Sequence, residues 1–355
     1  MKKMINKVEE VVKQQLQGFS IAHKDLEVSL DPMFIVRKNK AHSKVAIISG
    51  GGSGHEPMHG GFVGQGMLDG ACPGEMFTSP TPDQMFECGL KAHSGKGVLF
   101  LVKNYTGDVL NFETSLELLS AEGIEVQTAL IDDDVAVKDS LYTAGRRGVA
   151  TTVLAEKILG AAAESAYTLE QLSVLAKKIA NQGRSFGVGL KACTVPAAGK
   201  PSFTLEDNEV EFGVGIHGEP GIERRPFDTC DALTEDMMSE ILDNTPYVRE
   251  VRLWDNTTHD WKSETWTTEP LLQGDKAIVL INNLGATPES ELYIVFRKVA
   301  EILEEKGISV ERSLIGSYCT SLDMQGVSIT VLNADEEMLG LFDRPVKTPS
   351  LRWDC

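Results

Sequence analysis

Val98-Leu99-Phe100-Leu101-Val102-Lys103-Asn104-Tyr105-Thr106-Gly107-Asp108 is an apolar run that ends in a cluster of polar side chains. Five aliphatic or aromatic residues in succession fit a strand buried on both faces. Lys103, Asn104 and Asp108 then fall just beyond its carboxyl end, where open α/β sheets place their ligands. Val45-Ala46-Ile47-Ile48-Ser49 repeats the pattern and delivers Gly50-Gly51-Gly52-Ser53-Gly54-His55 at the equivalent end. Consecutive glycines leave backbone N–H groups free to donate to a small polar ligand.

Working outward, Val126 to Ile131 reads as a third buried strand, and Pro82 to Lys91, Glu113 to Glu122 and Thr151 to Ser165 read as helices. That alternation indicates an α/β layer structure. Asn6 to His23 carries Val8, Val11, Val12, Leu16 and Phe19 near helical spacing, and a looser segment containing Pro32 follows. Thr168 and Gln171 form a capping box for a helix to Gln182, with Gly183 as its stop. The second half repeats the logic with strands at Phe186 to Leu190, Glu209 to Phe212, Ala277 to Ile281, Ser309 to Leu314 and Val327 to Leu332, and helices at Leu233 to Asp243 and Glu289 to Glu305. Val248 to Trp266, with alternating Trp, Thr and charge, reads as an antiparallel excursion. The expectation is two α/β domains, residues 1–183 and 184–355, each a mixed, largely parallel sheet flanked by helices, with the active site between them.

The 355 residues suffice for sizeable cores. Acidic residues outnumber basic ones by 52 to 34, for a formal charge of −18, and no Lys/Arg-rich run occurs, so nucleic acid is disfavoured as a partner. No secretory signal and no membrane-length apolar run are seen, which points to a cytoplasmic protein with no membrane association. The six cysteines are dispersed without a CxxC pair, against zinc ribbons and disulfide scaffolds. Asp132-Asp133-Asp134 reads as a solvated strand end, with a partner contact as the alternative.

A second glycine-rich loop, Gly213-Val214-Gly215-Ile216-His217-Gly218-Glu219-Pro220-Gly221, follows the strand-like Glu209 to Phe212. Five of these nine residues are Gly or Pro, so a ligand can approach the backbone closely. Two such loops, far apart in sequence, suggest one shared pocket. His217 can be read as a turn-capping histidine, or as a neutral imidazole that attacks a carbonyl carbon with Glu219 or a backbone carbonyl orienting the ring. His55-Glu56-Pro57-Met58-His59 matches the H-E-x-x-H pattern of zinc proteases letter for letter. That motif needs both histidines one turn apart in a helix, and Pro57 belongs at a helix start, which leaves His55 outside. Gly50 to Gly54 lacks a P-loop ending and a G-x-G-x-x-G spacing, so neither a metal nor a directly bound nucleotide is expected.

These loops, together with Cys72-Pro73-Gly74-Glu75, Phe77-Thr78-Ser79-Pro80-Thr81-Pro82-Asp83, Gly145-Arg146-Arg147-Gly148 and Asn282-Asn283-Leu284-Gly285-Ala286-Thr287-Pro288, closely resemble the substrate-binding K subunits of the phosphoenolpyruvate-dependent dihydroxyacetone kinases. The similarity runs from Met1 to Trp353. What the resemblance implies is a phosphotransferase subunit in which His217 forms a hemiaminal with the carbonyl of dihydroxyacetone. His55 and Asp108 correspond to the acid/base pair. Gly52, Ser53, Gly54 and Lys103, with His55, Asp108 and His217, make up the substrate-binding set. The resemblance further implies a homodimer, and an L subunit that carries ADP and magnesium and is recharged by an M-type phosphocarrier of the phosphotransferase system. Some relatives instead sense the ligand and act on a transcription regulator, which is the alternative expectation.

Overall fold

The structure, a computed structural model, describes residues 2–39, 43–138, 143–243 and 246–355. Helix α1 (Val11–Ala22) leads into β1 (Leu26–Leu30), β2 (Met33–Arg37), β3 (Ala46–Ser53), β4 (Gly70–Met76), α2 (Pro82–Ala92), β5 (Val98–Lys103), α3 (Thr106–Ala121) and β6 (Val126–Ile131). The six strands form one sheet in the order β1-β2-β4-β3-β5-β6. Pairs β4/β3, β3/β5 and β5/β6 are parallel, and β1 and β2 add an antiparallel edge. That edge occupies the segment around Pro32 that the sequence reading treats as loose.

The apolar runs that mark β3 and β5 are buried on both faces, as parallel strands between helices must be. Ile47, Leu99 and Leu101 face a core shared with helices α4 (Thr151–Glu164) and α5 (Leu169–Gln182), whereas Ile48, Phe100, Phe112 and Leu116 fill the opposite face under α2 and α3. Phe100 and Phe112 pack edge to face at 5.2 Å, and burial of each ring contributes about 2 kcal/mol. Because β3 and β5 are parallel neighbours, their carboxyl ends meet at one edge of the sheet. The glycines after Ser49 continue β3 to Ser53, so they form the strand's end and not a separate loop.

The second sheet is built from β7 (Gly183–Lys191), β8 (Glu209–Phe212), β9 (Glu223–Pro226), β12 (Lys276–Asn283), β13 (Ser309–Gly316) and β14 (Gln325–Asn333), in the order β13-β12-β14-β7-β8-β9. Both sheets are mixed and flanked by helices. The expected parallel bias holds only for the first, because in the second only β12/β13 is parallel and the other four pairings are antiparallel. The physical reason is connectivity: β12 and β13 are linked by α7 (Glu289–Glu305), a helical crossover, while β7, β8 and β9 follow one another without an intervening helix. Helix α6 (Cys230–Asp243) packs Met237, Met238 and Ile241 into this sheet's own core.

Strands β10 (Tyr247–Asp255) and β11 (Asp260–Thr268) form the expected antiparallel excursion, a separate two-stranded ribbon. It lies against the first sheet, where Trp254 and Trp266 enter that sheet's two cores and the Asn256 side chain bonds both the N–H and the carbonyl of Val126 at 3.1 Å. After α8 (Glu336–Phe342) the chain also returns to the first sheet's side, with Ser350 N–H donating to Gly61 O at 2.9 Å.

Asp132-Asp133-Asp134 is buried, which corrects its reading as a solvated strand end. Each carboxylate has partners. Arg249 grips Asp132 in a two-pronged contact at 2.7 and 2.9 Å, Asp133 accepts from the N–H groups of Val149 and Thr151 at 2.7 and 2.8 Å, and Arg147 donates to Asp134 at 2.8 Å. The three acids fasten the end of β6 to the start of α4, to the ribbon and to the His217 loop.

A candidate small-molecule site at the sheet edge

A cavity of about 530 Å³ opens between the two sheets, lined by Gly52, Phe77, Ser79, Lys103, Tyr105, Thr106, Gly107, Asp108, His217, Gly218, Glu219 and Pro220. Of the residues nominated from sequence, Gly52, Lys103, Asp108 and His217 reach this wall. Ser53 faces away, its hydroxyl donating to Gly74 O at 2.7 Å, and the Gly54 N–H is taken by the Glu56 carboxylate at 3.0 Å. His55 lies behind the wall, stacked on Phe77 with ring centroids 4.9 Å apart and edge-on to His217 at 4.8 Å.

His217 stands on the loop after β8 with its side chain one-fifth exposed. Its Nδ1 is 2.7 Å from Glu219 Oε1, and its backbone N–H donates to Glu219 Oε2. A carboxylate can only accept, so Nδ1 carries the proton and Nε2 presents a lone pair. Burial opposes ionisation of Glu219, but when the His217 ring is cationic its charge and hydrogen bond, with Arg147, outweigh burial and hold the carboxyl at about 2. The turn requires glycine at Gly215, where a Cβ would lie 2.1 Å from Glu219 Oε2. Phe77 and Tyr105 meet the imidazole edge-on, at 4.9 and 4.8 Å, and fix its plane.

Lys103 ends β5, and Asp108 sits in the first turn of α3, which begins at Thr106 and not at the expected Glu113. The helix N-terminus there favours an anionic side chain. Lys103 is 1% exposed. Its Nζ donates to Gly50 O at 3.1 Å and lies 2.8 Å from His59 Nε2 and 3.8 Å from Asp108 Oδ2. Such proximity requires glycine at Gly51, where a Cβ would come within 2.2 Å of Nζ. Asp108 Oδ1 is buried with no partner.

His55 is fully buried, and its Nδ1 donates to Thr320 O at 2.7 Å. Nε2 is then an unpartnered acceptor. Burial, followed by the nearby charges of His217 and Lys103, pushes the imidazole well below the usual histidine range, so it is a neutral base. The segment from His55 to His59 turns without forming an α-helix, and a short 3-10 helix starts only at Gly60. His59 instead turns inward to Glu156 of α4, with Nδ1 2.5 Å from Oε1. Among the described residues no group of three or more His, Cys, Asp or Glu side chains could hold a metal ion.

Sequence reasoning missed Tyr105, Arg147, His59 and Glu156. Tyr105 lay within the decisive stretch and Arg147 within a quoted motif, but nothing local signalled their packing against His217 and Glu219. Glu156-Lys157 looks like an exposed charged pair on a helix, yet both residues are buried.

Fold and cavity together define a two-domain α/β protein with a small-molecule site at the strand carboxyl ends, where the His217 imidazole, a buried lysine and a buried carboxylate converge. The chain belongs to the Dak1 domain family, whose model matches residues 17–350. It is 58% identical to the dihydroxyacetone-binding subunit DhaK of the PEP-dependent dihydroxyacetone kinase of Escherichia coli strain K12, over 99% of each chain. Identity is 43% to the corresponding subunit of the PTS-dependent kinase of Lactococcus lactis, over 98% of each. Among solved structures, the dihydroxyacetone kinase operon co-activator DhaQ superposes with a TM-score of 0.84 at 30% identity, covering 97% of this chain and 98% of that one. The dihydroxyacetone kinase of C. freundii gives 0.82 at 29%, covering 99% of this chain and 60% of that one. No helix among the described residues is long and apolar enough to cross a membrane.

Proposed function

We propose that this chain is the dihydroxyacetone-binding subunit of a PTS-dependent dihydroxyacetone kinase and holds its substrate covalently on His217. The observation that carries the reading is the Glu219–His217 pair. With Nδ1–H donated to a carboxylate, the Nε2 lone pair faces the cavity. It adds to the carbonyl carbon while the C=O π pair moves to oxygen, which takes a proton from solvent. The ring keeps its Nδ1 proton and becomes a cation paired with Glu219. Glycerol matches dihydroxyacetone in size and hydroxyls but has no carbonyl, so it cannot be captured in this way.

Once the ketone is tethered, one primary hydroxyl must lose its proton as it attacks a phosphoryl group. Asp108, which lines the cavity and whose Oδ1 has no hydrogen-bond partner, takes that role more directly than His55 behind it. The Lys103 ammonium steadies the substrate oxygens. The phosphoryl donor is a separate L-type subunit bearing ADP and magnesium, recharged by an M-type phosphocarrier, so the chain alone has no turnover. Intact-protein mass spectrometry after mixing with dihydroxyacetone tests the reading, with ligand-bound crystallography as a second readout. An adduct on wild type, absent with His217→Ala and with glycerol, is the expected result; absence of bound dihydroxyacetone by both methods would overturn it. A second reading, a ligand sensor acting on a transcription regulator, draws on the superposition with the co-activator. It would take over if the chain captured dihydroxyacetone yet never turned over with an L subunit.

A further inference from the structure

A buried polar chain leads from Lys103 away from the cavity into the first domain, and its two farther members, His59 and Glu156, have no part in the chemistry just described. Lys103 Nζ meets His59 Nε2 at 2.8 Å, and His59 Nδ1 meets Glu156 Oε1 at 2.5 Å. Glu156 is fully buried on α4, His59 is the sole hydrogen-bond partner shown for it among the described residues, and its Oε2 has none. Burial of a carboxyl there is costly and pushes it well above the usual range, with the Lys103 charge pulling the other way. A group held at such a cost and in such a place acts through what it orients.

An ammonium has three donors. Gly50 O accepts one and His59 Nε2 a second. The third is left for the cavity, which Lys103 lines and where Asp108 Oδ2 stands 3.8 Å away, too far for a hydrogen bond. Two of the three directions being fixed, the third is fixed as well. His59 can accept from Lys103 only while its own proton sits on Nδ1, and Glu156 Oε1, as the acceptor of that Nδ1–H, is what keeps it there. We propose that His59 and Glu156 are positioning residues for Lys103: Glu156 sets the tautomer of His59, and His59 aims the remaining Lys103 N–H at a hydroxyl of the carbonyl ligand in the cavity. This inference rests on the proposed function for the identity of that ligand, but not for the tautomer.

The test uses the full chain with its L and M partners and four variants: Glu156→Gln, Glu156→Leu, Lys103→Met and the Lys103→Met/Glu156→Leu double. Gln retains an oxygen that can accept from Nδ1–H, so kcat/KM for dihydroxyacetone is expected to fall about tenfold with Gln and about 100-fold with Leu, by analogy with the loss of groups that orient metal-ligating side chains. In the Lys103→Met background the Leu substitution should add less than about twofold, because its effect passes through Lys103. Full additivity, or equal losses for Gln and Leu that follow thermal stability, would mean that the pair only packs the core and would overturn the proposal. A readout independent of ligand is the ring-nitrogen NMR spectrum of His59 in histidine-labelled protein, assigned by its loss in His59→Gln. Protonated Nδ1 with accepting Nε2 is expected in wild type, and the opposite tautomer sinks the proposal. Should wild type capture no dihydroxyacetone, the proposed function falls while this spectrum still judges the relay.

Discussion

His55 donates through Nδ1 to the carbonyl of Thr320 at 2.7 Å, a bond that ties the end of β3 to the loop before β14. Thr320 N–H returns a bond to His55 O at 3.2 Å, and Leu322 N–H donates to Gly54 O at 2.9 Å. The cavity thus lies beside a seam stitched by backbone groups from both domains, with a neutral imidazole inside it.

That seam makes stability depend on pH. His55 and His59 both have folded values well below the free histidine range, burial being the first cause in each. The unfolded chain binds their protons near pH 6.5 while the folded chain refuses them, so their contribution is complete above about 6.5 and is lost as pH falls toward the folded values, by about 1.4 kcal/mol per pH unit for each group. Asp132 and Asp134, raised to about 6 chiefly by burial, act in the opposite sense: folded protein holds their protons longer, and stability from them declines as pH rises through 6. Comparing urea midpoints of wild type and His55→Gln between pH 7 and pH 5 isolates one histidine. Wild type should lose more stability over that interval, and parallel curves would mean that His55 titrates normally.

The Asp132–Arg249 pair is a buried tie between the first sheet and the β10–β11 ribbon, and Arg249 also donates to Asn181 and Thr268 at 2.9 and 3.1 Å. Arg249→Met leaves a carboxyl buried without its cation and should destabilise the protein by about 3 kcal/mol. Arg249→Met combined with Asp132→Asn should recover part of that loss, since no charge then stays unpaired. Chemical denaturation of the two variants checks the order; a double variant less stable than the single one contradicts it.

What could be read from sequence is what repeats along the chain. Val98 to Val102 and Val45 to Ile48 announce buried strands by composition, and the polar groups beyond them mark a site. Asp108 was legible as a candidate but not as a helical residue, because Gly107 masks the start of α3. Asp132-Asp133-Asp134 and Glu156 were misread or missed for one reason: a charge run looks solvated unless its partners are known, and Arg249, His59 and Arg147 come from distant segments. Antiparallel order in the second sheet was hidden because apolar strands look alike whichever way their neighbours run.

Two glycine substitutions separate site from scaffold. A Cβ at Gly51 would meet Lys103 Nζ at 2.2 Å, so Gly51→Ala must move the lysine from its place beside His59 and Asp108. Ligand capture should weaken about 100-fold, on the scale of losing one preorganised donor. Gly18, inside α1, has nothing within 4 Å of an added Cβ, and Gly18→Ala should instead raise stability by about 0.5–1 kcal/mol with capture unchanged. Calorimetric titration with dihydroxyacetone and urea unfolding on both variants decide this; unimpaired binding in Gly51→Ala would show that Lys103 does not need its present position.

Glu219→Gln probes the arrangement on which covalent capture depends. Both carboxylate oxygens accept from the same residue, one from the His217 ring and one from its backbone N–H. An amide has one accepting oxygen, so whichever way the substituted side chain turned, its NH2 would face a donor. If the amide oxygen served the backbone, the ring would lose its Nδ1–H partner and with it the tautomer that exposes Nε2. If it served the ring, the turn would open. In either orientation the negative charge beside the cationic adduct is gone, a charge that stays ionised at any working pH because the carboxyl is held at about 2. Adduct occupancy at fixed dihydroxyacetone should therefore drop at least 100-fold, more than the loss of one neutral hydrogen bond of about 1 kcal/mol would give. Intact-mass titration of the variant measures it, and a loss of tenfold or less would mean that Glu219 serves only the turn and that the nucleophile is activated by another group.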